Sequence, residues 1–176
     1  MHLSLIAAQS ADGFITRHDE PGSAFTSAAD KKHFRHVLAD YDCSIFGGKT
    51  YRSAREAIRQ NLTPSRRRVV LTRDPTRWAT EAVADMLEFT SASPAEICTR
   101  LEKAGHQRCA LLGGGEIHAL FLAAGLVDEL ILTIEPRLFG GGTPLVPGLV
   151  DVTLTLDQVE RLPESDTLVL RYRIKR

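Results

Sequence analysis

The period of apolar and polar positions changes repeatedly along this chain, and each change marks an element boundary. Leu3 to Ala8 is nearly continuous in apolar residues, as a strand covered on both faces requires. Gln9 to Ala24 breaks that run with the turn signals Asp12-Gly13 and Pro21-Gly22. It is longer than an ordinary connection, which suggests a functional lid. Ser27 is placed to cap a helix from about Ala28 to Ala39, with Phe34, Val37 and Leu38 on its apolar side. Cys43 to Phe46 is a second strand, followed by Gly47-Gly48-Lys49-Thr50 and a short helix from Tyr51. Arg68 to Thr72 is a third strand between Pro64 and Pro75, and Met86 to Thr90 a fourth. Ser93-Pro94 opens a helix that ends near Gly105.

The centre of the pattern is Cys109 to Leu122. An apolar run to Leu112 reads as a buried strand. Gly113-Gly114-Gly115 follow, and then Ile117, Leu120, Phe121 and Ala124 recur at helical spacing up to Gly125. Leu130 to Ile134 is another strand, and Gly140-Gly141-Gly142 is a turn after it. Val152 to Val159 and Leu168 to Ile174 alternate apolar with polar, as a half-exposed antiparallel pair does, around a turn at 163–166. Strands alternating with helices predict an α/β fold with a mostly parallel sheet and an antiparallel strand pair at the C-terminal end. The 176 residues fit one domain, with no linker or repeat.

Composition narrows the partners. Lys plus Arg and Asp plus Glu are both 22, so the formal charge is zero. That balance argues against nucleic acid or an anionic membrane surface as the main partner. No apolar run approaches a spanning helix, and the short Leu3–Ala8 segment lacks a basic leader, so a cytoplasmic protein is expected. Cys43, Cys98 and Cys109 have no paired spacing and read as buried reduced thiols.

In a parallel sheet, ligands sit beyond the carboxyl ends of the strands, where Gly47, Thr72 and Gly113 all fall. A glycine turn before a helix is a tight connection, or it exposes backbone N–H groups to an anion. Three such ends at one edge favour the second reading, with Lys49, Thr50, Thr72 and Arg73 supplying cations and hydroxyls. Arg73 is either a solvated turn arginine or a fork for a terminal phosphate. Asp30 is either a first-turn acid complementing the helix dipole or a buried acid in a cleft. His33 and His36 lack the companions of a metal set, so no metal is expected.

Taken together, these segments resemble the dihydrofolate reductase superfamily over nearly the whole chain. The matching stretches are Ser4 to Ala8 with Asp12-Gly13-Phe14-Ile15, Asp30-x-x-His33-Phe34, Ile45 to Tyr51, Pro64-Ser-Arg66 through Arg73, Gly113 to Gly115, and Leu132-Thr133. The resemblance implies a three-layer fold with helices on both faces of the sheet, and NADPH as cofactor. It implies Gly113, Gly114, Gly115 and Glu116 at the pyrophosphate, with Gly47, Gly48, Lys49 and Thr50 nearby. Thr72 and Arg73 would meet the adenosine 2′-phosphate, and Ala8 and Ile15 would border the nicotinamide. Asp30 would be the catalytic carboxylate supported by Thr133, Phe34 the ring contact, and Arg66 the holder of a folate glutamate.

The C-terminal third resembles instead the reductase domain of the riboflavin-pathway deaminase-reductase, in Leu126 to Leu130 and in Glu135-Pro136 through Gly140 to Pro144. It departs from that family in having Tyr51 to Arg55 where an acid-and-proline segment stands, and Gly113 for a glutamate. The expectation is a reductase that delivers hydride to a C=N bond of a pterin-like substrate. The riboflavin-pathway 5-amino-6-(5-phosphoribosylamino)uracil comes second, and a non-catalytic NADPH-binding sensor is a distant third. The alternating C-terminal strands allow a homodimer.

Overall fold

In the computed structural model, which describes residues 1–175, the elements in chain order are β1 (His2–Ser10), α1 (Ala28–Leu38), β2 (Cys43–Gly47), α2 (Gly48–Gln60), β3 (Arg67–Leu71), β4 (Leu87–Thr90), α3 (Pro94–Lys103), β5 (Arg108–Gly113), α4 (Gly115–Ala123), β6 (Glu129–Glu135), β7 (Leu154–Arg161) and β8 (Leu168–Ile174). The strands form one sheet in the order β4-β3-β2-β5-β1-β6-β8-β7. All pairings are parallel except β6–β8 and β7–β8.

Alternation along the strands sorts the core into two faces. Leu3, Leu5, Ile45, Val69 and Leu111 pack with Ile97 and Leu101 of α3 and Phe121 of α4. On the other face, Ile6, Ala110 and Ile131 meet Val37 and Phe34 of α1, while Phe46 and Val70 meet Tyr51 and Ile58 of α2. The result is the three-layer α/β arrangement implied by the resemblance. Ser27 caps α1 through the Asp30 amide, and Ser93 and Glu96 form a capping box on α3. The three cysteines are buried free thiols, and burial pushes the Cys98 thiol up to about 11.

Three features differ from expectation. Helix α2 starts at Gly48 rather than Tyr51, so Lys49 and Thr50 lie in its first turn, at the end of β2. Residues Thr76–Glu81 form a 3₁₀ helix whose Trp78 stacks on Phe89. The Gln9–Ala24 segment is tied down over its first half. The Asp12 carboxylate accepts the Phe139 and Gly140 amides at 3.0 and 2.7 Å, and Thr16 Oγ1 accepts the Thr143 amide at 2.8 Å. Gly142, at φ +147, lies so close that a Cβ there would stand 2.2 Å from the Thr16 carbonyl oxygen.

Candidate active site

A cleft of about 2130 Å³ runs along the carboxyl ends of the parallel strands, lined from Thr72 and Arg73 at one end to Asp30 and Thr133 at the other. It exceeds the roughly 300–1,000 Å³ of a pocket for one small ligand, so it has room for a long ligand beside a second one.

One end is made of backbone. Strand β5 runs into Gly113 at φ +91, a conformation that L side chains rarely adopt, and the Gly113–Gly114 peptide is cis. Helix α4 then begins at Gly115 with Gly114 as its N-cap and no side-chain cap, and α2 begins likewise from Gly47. Both helices therefore open with amides lacking intrahelical partners and facing a cleft lined by Gly47, Gly48, Gly114 and Gly115. Around them stand Lys49, Thr50, Thr72, Arg73 and Glu116, all in the lining. Lys49 and Glu116 approach each other at 3.5 Å, but they are 83% and 71% exposed, so the pair holds little. Two histidine facts matter beneath this turn. His118 is buried, with Nδ1 2.8 Å from the Leu145 carbonyl oxygen, and its Nε2 lies 2.6 Å from where a Gly113 Cβ would stand. Burial lowers its pKa to about 4, so the ring is neutral and Nδ1 donates.

The other end is made of side chains. Asp30 is in the first turn of α1 yet 6% exposed. Burial raises its pKa, hydrogen bonds with the Thr133 and Thr26 hydroxyls hold it back, and the neighbouring Glu135 charge pushes it up further. Thr133 pairs in register with Ala8 across β6 and β1, which sets Ala8 beside the acid on the cleft floor. Ile6, Leu112, Ile131 and Phe34 line the same region, and Ile15 reaches it from the tethered loop.

The structure thus brings Asp30, Thr133, Phe34, Ala8, Ile15 and the residues of both glycine turns together in one cleft. Arg66 lies elsewhere. Its guanidinium donates to the Leu38 and Tyr41 carbonyls, the latter at 3.1 Å, at the C-terminal end of α1. The expected folate-glutamate contact is therefore corrected: an arginine that closes a helix end does not face the cleft. Three lining or neighbouring groups go unnoticed in sequence. Arg52 stands one turn into α2, its Nη1 4.0 Å from a Cβ built on Gly48, and Lys31 follows Asp30 at the mouth. Glu135 is 2% exposed behind α1. The strand period signals it, since Ile131, Thr133 and Glu135 share one face of β6. Outside the cleft, Asp42, Cys43 and His106 bring ligand-type atoms within 4.8 Å of one another. Asp42 there accepts the Gln107 amide at 2.7 Å and orders the start of β5.

A family model described as the RibD C-terminal domain matches residues 1–168. No curated protein gives a significant match. Among solved structures, a pyrimidine reductase-like protein from Corynebacterium diphtheriae is 17% identical, with a TM-score of 0.74 over 99% of this chain and 92% of that one. A diaminohydroxyphosphoribosylaminopyrimidine deaminase/5-amino-6-(5-phosphoribosylamino)uracil reductase from Thermotoga maritima is 17% identical at a TM-score of 0.80, over 99% of this chain and 56% of that one. Dihydrofolate reductase from Enterococcus faecalis, complexed with NADP(H), is 20% identical at 0.67, over 99% and 97% of the two chains. At these identities the structural likeness shows a shared fold. Among the described residues no helix is long and apolar enough to cross a membrane.

Proposed function

The chain belongs to the RibD C-terminal domain family, and on that premise we propose that it is an NADPH-dependent reductase of an aminopyrimidine carrying a ribosyl phosphate. The match to that family supports this order of substrates over the pterin-like reading. The position of Arg66 supports it too, because its guanidinium donates to backbone carbonyls at the end of α1. The observation that carries the proposal is the single cleft, with uncapped helix N-termini at one end and a buried acid at the other.

The residues at the glycine end fit a dinucleotide phosphate. The first amides of α4 and α2 would take the pyrophosphate, helped by Thr50 and Lys49. Thr72, Arg73 and Arg52 are grouped where a terminal phosphate would be read. When bound, the nicotinamide supplies the hydride. The protein's own part is orientation and the proton. Ala8 and Ile15 would shape the apolar wall beside the acceptor carbon. Asp30, held by Thr133 and Thr26 and with its pKa raised by burial, is the acid placed to give a proton to the nitrogen of the C=N bond. In a ribosylamine that double bond is the imine formed when the sugar ring C–O bond opens and the amine proton passes to the released oxygen; reduction then leaves a C–H and an N–H in its place. Lys31 at the mouth is the cation available to a substrate phosphate.

The test is NADPH oxidation followed by absorbance with 5-amino-6-(5-phosphoribosylamino)uracil and, separately, dihydrofolate. Turnover of the first and not the second supports the proposal. Turnover of dihydrofolate alone returns the pterin reading, and NADPH binding without either turnover returns the sensor.

A further inference from the structure

Behind Asp30 lies a second buried carboxylate that the proposed chemistry does not use. Glu135 ends β6, two residues after Thr133 and on the same face, and it does not line the cleft. Its Oε1 accepts the backbone amide of Ser27, the N-cap of α1, at 2.7 Å. Its Oε2 accepts the Thr167 hydroxyl at 3.0 Å. Thr167, wholly buried, receives the Ser165 hydroxyl at 2.7 Å, and Ser27 Oγ lies 3.2 Å away. Ser27 Oγ in turn accepts the amide of Asp30 at 3.1 Å. One carboxylate thus ties the end of β6 and the β7–β8 turn to the turn that carries Asp30.

We propose that Glu135 is the positioning residue for Asp30, fixing the first turn of α1 and setting a second carboxylate behind that of Asp30. This rests on the reading of Asp30 as the proton-holding group of the cleft. Both Glu135 oxygens accept from donors fixed by the fold, one a backbone amide and the other a buried hydroxyl. The other charged groups around the pair are few. His33 faces Asp30 from α1 and itself faces Glu160 of β7 and Arg171 of β8. The β7–β8 turn turns its Arg161–Asp166 pair to solvent and offers inward only the Ser165 and Thr167 hydroxyls. Among the described residues, Glu135 is the acidic neighbour whose charge adds to burial in raising the proton affinity of Asp30.

The test reads Asp30 directly and needs no substrate. Carboxyl-labelled aspartate is followed by ¹³C NMR, with the Asp30 signal assigned from D30N. In E135Q, which keeps shape and one acceptor but removes the charge, the Asp30 midpoint falls by roughly half a unit to one unit. With a substrate that turns over, the loss of rate on raising pH then sets in correspondingly lower, while KM changes little. An Asp30 midpoint that stays at the wild-type value in E135Q overturns the proposal. E135D keeps the charge but withdraws it by one methylene, and covers the case in which E135Q does not fold. There the midpoint falls by a smaller amount, and an unmoved midpoint overturns the proposal equally. A moved midpoint with no turnover of any substrate sustains the role of Glu135 and removes the reductase reading.

Discussion

At its glycine end the cleft presents backbone, with two uncapped helices flanked by side chains as exposed as Lys49 at 83%. At its acid end it presents side chains, and Asp30, Thr133, Glu135 and Thr167 are between 0% and 6% exposed. On the proposed function, the contrast matches what each end would recognise. A phosphate is anionic in every state, so fixed amides and mobile cations suffice, and substitution of any one cation removes only part of the attraction. A proton donor must change charge during turnover. Its environment has to be dry and rigid enough to hold its protonation in range, so each neighbour matters more.

Asp30→Asn breaks that comparison at its most sensitive point. The amide keeps the size and the bonds to Thr133 and Thr26 but carries no transferable proton. The turnover rate is expected to fall roughly 10²–10⁴-fold. NADPH affinity at the far end should hardly change, and the melting temperature should hold, since the size and the bonds to both hydroxyls are kept. A mutant turning over near the wild-type rate would return Asp30 to the role of a helix-dipole acid.

The backbone end has its own buried weak point in His118. Its pKa is about 4 in the fold against 6.5 for a free histidine, because burial disfavours the charged ring. A base depressed in the fold contributes fully above the unfolded value, and that contribution is lost as pH falls from about 6.5 towards 4. About 2.5 pK units at 1.36 kcal/mol each amounts to about 3 kcal/mol. Urea unfolding of wild type and H118Q at pH 7 and pH 4.5 isolates this share, since other titrations are common to both. The wild type should lose more stability on acidification than the variant. Equal losses would mean that His118 is not buried neutral beneath Gly113.

A milder perturbation sharpens the contrast. Arg73→Ala should weaken NADPH by about ten- to a hundredfold, the value of one charge-assisted phosphate contact of roughly 1.5–3 kcal/mol, and leave NADH nearly unchanged. Arg52→Ala should act in the same direction. Equal losses for the two cofactors in both variants would show that neither arginine reads the extra phosphate.

The two ends also differ in how legible they are from sequence. The glycine turns stand out because the apolar period switches across them, which places Gly47 and Gly113 at strand ends without any tertiary knowledge. Asp30 alone is ambiguous, because a first-turn acid is the commoner reading, and periodicity does not show its burial or its contact with Thr133, far away in sequence. Thr167 and Glu135 are less visible still. A threonine in a turn and a glutamate at a strand end look like solvated residues until the antiparallel pairing of β6 with β8 buries them against Ser27. The start of α2 at Gly48 is misplaced for a local reason, since two glycines discourage a helix in isolation, whereas here the strand runs directly into it.

Arg66 sets the lower bound of the series, because it belongs to neither end. Its matching segment places it as a substrate ligand, but its fork is spent on the Leu38 and Tyr41 carbonyls. These lie at the C-terminal end of α1, where the helix dipole is negative and a cation is favourable. Arg66→Ala is therefore expected to cost stability, on the order of 1–3 kcal/mol for charge-assisted bonds at a half-buried site. Because α1 is held at its other end by Ser27 and Glu135, the displacement should stay local and Asp30 should keep its place. KM for whichever substrate turns over should remain near wild type, and so should the affinity for NADPH. Chemical denaturation paired with steady-state kinetics on the same sample checks both halves of the statement. A large rise in KM with unchanged stability would put Arg66 back in the cleft and reopen the folate reading.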